Sequence, residues 1–73
     1  MKLISDINRC VNVENVWHVE LVNEVIYFDF NNGKPVDELH FSRCEYAKEF
    51  FEKFVDWIEF SSNNVMITEG YWD

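Results

Sequence analysis

Residues 43–60 read RCEYAKEFFEKFVDWIEF, and the spacing within them decides the fold. Glu45, Glu49, Glu52, Asp56 and Glu59 recur at intervals of four, three, four and three residues. An α-helix turns once every ~3.6 residues, so all five acids fall within an arc of about 80°. Tyr46, Ala47, Phe50, Phe51, Phe54, Val55, Trp57 and Ile58 fill an arc of about 180° on the opposite side. The stretch therefore predicts a sided helix, apolar toward a core and anionic toward solvent. Ser42 followed by Glu45 has the pattern of a capping box at its start, and Ser61-Ser62-Asn63-Asn64 ends it. Glu45 would then serve twice, as cap partner and as first member of the acidic row.

A helix with one apolar side needs a surface to cover, and the residues before it supply one. Val16–Val22 and Val25–Phe30 alternate as strands. Paired as a hairpin about Asn23-Glu24, they set Leu21 against Ile26, Val19 against Phe28 and Trp17 against Phe30. The other face then carries Val22/Val25, Glu20/Tyr27 and His18/Asp29. A slip of one residue would mix the two sets, so the pattern specifies its own register. Asn31-Asn32-Gly33-Lys34-Pro35 reads as a turn, with Gly for a positive φ and Pro outside any central ladder. A third strand near Val36–Phe41 sends Leu39 and Phe41 to the core, with Asp37 on their face and Val36, Glu38 and His40 on the other. Val65–Thr68, rich in β-branched residues, is a candidate fourth strand, and Gly70-Tyr71-Trp72-Asp73 either docks on the core or forms an adhesive tail. At the other end, Leu3, Ile4, Ile7, Cys10 and Val11 recur at helical spacing, so a short N-terminal helix capped by Ser5 or Asp6 is expected, although a strand at Met1–Ile4 also fits. The fold class is α+β: a three-stranded antiparallel sheet, extended by that candidate C-terminal strand, covered by one long amphipathic helix.

Composition is consistent with one small acidic domain over residues 1–73. Apolar residues make up 48% of the chain and Phe, Tyr and Trp 18%, so even this length has apolar area enough for a core. Fourteen acids against six bases leave a formal charge of −8. That balance repels nucleic-acid phosphates and anionic membranes and favours a basic protein partner. Met1-Lys2 is followed by only Leu3 and Ile4 before Ser5-Asp6, which is no secretory signal, so a cytoplasmic protein with reduced Cys10 and Cys44 is expected, in preference to a Cys10–Cys44 bridge.

Candidate chemistry is sparse. Cys10, His18, His40 and Cys44 are zinc-ligand types, but the paired spacing of a zinc site is missing and no metal or cofactor is expected. A Cys44–His40 dyad would sit between Glu38 and Glu45, whose charges oppose a thiolate, so the chain reads as no enzyme. What remains is surface. The row Glu45, Glu49, Glu52, Asp56 and Glu59 spaces carboxylates about 5–6 Å apart, comparable to successive phosphates. Glu20, Tyr27 and Asp29 form a second patch in which Tyr supplies contact area and the acids orientation. The function expected is a small acidic inhibitor that occupies the basic surface of a nucleic-acid-handling enzyme. Phage anti-defence proteins, nucleic-acid mimics and immunity proteins against nuclease toxins share that composition. The alternative is a structural interaction module or homodimer built on exposed aromatics.

Overall fold

The computed structural model describes residues 1–30 and 35–73. In chain order the elements are β1 (Leu3–Ser5), β2 (Cys10–Asn12), β3 (Val16–Val22), β4 (Val25–Phe30), β5 (Asp37–His40), α1 (Cys44–Phe60), β6 (Val65–Ile67) and β7 (Tyr71–Trp72). The class is α+β, but the strands form two sheets rather than one. The larger runs β3-β4-β5-β7, and the smaller runs β2-β1-β6.

The hairpin adopts the register its alternation predicts. Leu21 faces Ile26, Val19 faces Phe28, Glu20 faces Tyr27 and His18 faces Asp29. Asn23 takes φ 54°, so the left-handed turn residue is the Asn, and Glu24 is spared that conformation. One expected pair fails. The ladder shifts between Val16 and His18, so Val16 and not Trp17 stands opposite Phe30. This bulge throws Trp17 outward, to 65% exposure, against the His18 ring. The strand around Leu39 forms as expected, with Leu39 and Phe41 buried. Asn31-Asn32-Gly33-Lys34 of the expected turn lie outside the described residues.

α1 closes the inner face of the larger sheet, packing on β4 and β3. Its buried stripe is Ala47, Phe50, Phe54 and Trp57. Phe28 is fully buried beneath it, with the Phe54 ring edge-on at 5.4 Å. The apolar arc is wider than the stripe that reaches the core: Tyr46, Val55 and Ile58 stay exposed. The expected capping box does not form either. Arg43 is the N-cap and makes no side-chain cap bond, while Glu45 pairs with the Arg43 guanidinium at 3.2 Å.

The N-terminal helix is replaced by two short strands. Helical spacing needs Ile7 in the core, but Ile7 is 93% exposed at the tip of the β1–β2 turn. Asp6 Oδ1 accepts the N–H groups of Asn8 and Arg9, both at 2.7 Å, as an N-cap side chain would. The chain then turns back as β2 instead of continuing a helix. β1 is also parallel to β6, with Leu3 opposite Val65 and Ser5 opposite Ile67. Val65–Ile67 is therefore a strand, but it belongs to the smaller sheet. The fourth strand of the larger sheet is Tyr71–Trp72, paired to β5.

Two contacts join these layers. Lys2 Nζ donates to the carbonyls of Trp57, Ser61 and Asn63 at 3.3, 2.7 and 3.1 Å, and lies 4.7 Å from the Trp57 ring centroid. A cation therefore caps the C-terminal end of α1, which has no basic residue in its own last turn. Lys2→Met keeps the aliphatic stem and removes the charge. It is expected to cost about 1–2 kcal/mol in denaturant unfolding. An unchanged midpoint would show that the three carbonyls are equally well served by water. On the far side, Gly70 lets β7 approach β5: a Cβ there would lie 2.7 Å from the His40 carbonyl oxygen.

Candidate functional site

All five acids of the helix row are exposed, on the side of α1 turned away from the sheet. Two of them are paired. Glu49 meets Lys53 at 3.3 Å and Glu45 meets Arg43. Lys48 and Glu52, four residues apart, make no pair, and among the described residues Glu52, Asp56 and Glu59 form no salt bridge. Asp56 and Glu59 also lie toward the helix C-terminus, where aligned peptide dipoles disfavour negative charge by ~0.3–1 kcal/mol each. These carboxylates do not help α1 to form.

Glu20, Tyr27 and Asp29 share one face, as the alternation predicts, but it is the outer face of the larger sheet. Ile26, Phe28 and Phe30 alternate with them and are buried under α1. The two acidic patches therefore lie on opposite sides of the molecule and cannot form one flat contact. The outer face also holds a group that the sequence did not bring together. Tyr27 stands beside Glu38 across β4 and β5, and His40 beside Tyr71 across β5 and β7. His40 Nε2 is 3.0 Å from Glu38 Oε1 and 3.6 Å from Asp73 Oδ2, and its ring stacks on Tyr71 at 5.4 Å. The alternation of Glu38 and His40 was legible. The place of Tyr71 and Asp73 was not, because nothing local says that the last residues pair with β5.

Glu38, His40 and Asp73 offer ligand atoms within 4.8 Å of one another, a set suited in type to a divalent transition ion. Their contacts are equally those of a half-exposed histidine held between two carboxylates. Among the described residues, the four zinc-type residues Cys10, His18, His40 and Cys44 form no such group, and both cysteines are free and exposed. A cavity of about 520 Å³ is lined in part by Cys10, Asn12, Phe30 and Pro35, with the Arg9–Asp37 pair, 3.1 Å apart, on its wall. Among the described residues that line it, Cys10 has no histidine beside it, so they supply no Cys–His pair. Among the described residues no helix is long and apolar enough to cross a membrane.

The acid whose pKa is lowered, Asp6, has a structural task. Asp6 is held below its usual pKa first by the Trp72 N–H, which donates to Oδ2 at 2.8 Å, and then by the Arg9 N–H. It ties the β1–β2 turn to β7 and faces no cleft. Comparison with protein-family models, curated proteins and solved structures finds nothing that matches this chain.

Proposed function

We propose that the protein is a small acidic inhibitor that binds the basic, nucleic-acid-binding surface of a partner protein through the outward side of α1. One observation carries this reading: Glu52, Asp56 and Glu59 are exposed and unpaired by any cation among the described residues, and Asp56 and Glu59 are opposed by the helix dipole. Carboxylates that cost the fold stability are accounted for by a contact outside the fold. Each would take the place of a phosphate against a Lys or Arg of the partner. The sheet-face patch of Glu20, Tyr27 and Asp29 faces the other way and serves a different neighbour.

The test is affinity capture from lysate at low and high salt, with wild type beside the triple variant Glu52→Lys, Asp56→Lys, Glu59→Lys. Wild type is expected to retain a nucleic-acid-handling protein that high salt releases and the variant does not bind. The variant should fold at least as well as wild type, gaining ~0.3–1 kcal/mol for each charge reversed near the helix end. Retention of the same partner by the variant removes the row as the contact. Recovery only of proteins without a nucleic-acid site removes the mimicry.

A second reading, a homodimer or interaction module using exposed aromatics, draws on Trp17 and on Phe60, which is 80% exposed. A monomeric mass at micromolar concentration would rule out the homodimer form.

A further inference from the structure

β3 is the outermost strand of the larger sheet, and at seven residues its longest. Which of its backbone groups point outward follows from the hydrogen-bond alternation of antiparallel strands. Phe41 N–H donates to the Glu24 carbonyl at 2.8 Å, so Glu24 faces β5 and Val25 faces β3. Val22, Glu20 and His18, opposite Val25, Tyr27 and Asp29, then turn their N–H and C=O groups inward to β4. Val19 and Leu21 turn theirs to the free edge. The bulge at Trp17 disturbs the strand at one end only, and among the described residues nothing pairs with the other side of β3, so residues 19–22 form a regular free edge.

The apolar arc of the helix above this edge is wider than the stripe the sheet covers. The Tyr46, Glu49 and Lys53 flank of α1 lines a small groove with Phe41, Met66 and Ile67. Helical spacing puts Val55 and Ile58 on the opposite flank, toward β3, and they remain 40% and 39% exposed. Val19 and Leu21 below them are only half-buried, although both pack on the core. One more strand beside β3 would cover all four. Its side chains would have to alternate: apolar opposite Val19 and Leu21, under that flank of the helix, and cationic opposite Glu20, on the acidic outer face.

We propose that the β3 edge is a docking site for an extended basic segment of a partner protein, which adds as a fifth strand with alternating apolar and cationic residues. The sign of the partner's charge rests on the reading under Proposed function. The surface is a different one, and the test separates the two. A blocked seven-residue peptide of alternating Lys and Val is titrated into the protein, with amide exchange followed by NMR. The expected result is saturable binding that slows exchange of the Val19 and Leu21 amides about tenfold. The same peptide N-methylated at alternate residues, so that it cannot donate to the edge, should bind about tenfold more weakly. Glu20→Lys should weaken the unmodified peptide about threefold. Reversal of Glu52, Asp56 and Glu59 should leave the Val19 and Leu21 protection in place. Equal binding of both peptides, with shifts confined to α1, would overturn the docking site while leaving the acidic helix reading intact. Equal binding of an alternating Glu and Val peptide would overturn the basic partner, and absence of any binding would overturn the site itself.

Discussion

Trp72→Ala is expected to remove about 3–5 kcal/mol, a large share of the ~4–11 kcal/mol that holds a domain of this length. The loss is large because ring packing and an indole hydrogen bond meet in one side chain. Its ring is only 7% exposed and packs 5.2 Å from the fully buried Phe28. Its indole N–H donates to the Ile4 carbonyl at 3.2 Å, and its backbone N–H donates to Asp6. Trp72 is therefore the point at which the two sheets are joined, and truncation opens a cavity and strips the Ile4 carbonyl of its indole donor, while the backbone bond to Asp6 is kept. The melting temperature should fall by about 4–8 °C for each kcal/mol lost. Trp17→Ala is the control, because an exposed residue on a bulge should change stability by about 0.5 kcal/mol or less. Comparable losses from the two variants in thermal unfolding would mean that β7 is not seated as described.

Asp6 carries the second large effect, and its signature is pH. Oδ1 accepts two backbone N–H groups and Oδ2 a third, so the ionised form is favoured in the folded protein. Its folded pKa lies below the usual value, and the unfolded chain therefore takes up the proton first. The stabilisation is complete above the ordinary aspartate range, near pH 4, and is lost as the pH falls through the lower folded value. Wild-type stability should therefore decline below about pH 4, with Asp6 contributing to the slope. Asp6→Asn replaces one acceptor oxygen with a donor that must face a backbone N–H. The variant is expected to be less stable at neutral pH, with a loss second only to that of Trp72→Ala, and to show a shallower acid limb. A variant whose acid limb has the same slope as wild type would show that other carboxylates govern acid unfolding.

The candidate surface was legible in part, and the parts differ for a physical reason. The helix row could be read because side chains on one helix report their own direction every turn. Glu20, Tyr27 and Asp29 could be placed on one face for the same reason, with period two in place of 3.6. That this face lies across the molecule from the row, and that Glu38, His40, Tyr71 and Asp73 belong to it, needed the position of β7. Asp6 shows the same limit within one residue. Its capping bonds to the next turn were readable, but whether a helix or a strand followed them was not.

By itself the sequence determined what short-range periodicity can encode. It specified the register of the β3–β4 hairpin from His18 to Asp29, the sidedness of α1, and the inward set of Leu39 and Phe41. Only the tertiary structure decided that Leu3–Ser5 lies parallel to Val65–Ile67, that the strands divide into two sheets, and that Trp72 is buried while Trp17 is not. Pairing between strands some sixty residues apart leaves no local pattern. It is set by which buried surfaces remain to be covered once the helix and hairpin have met.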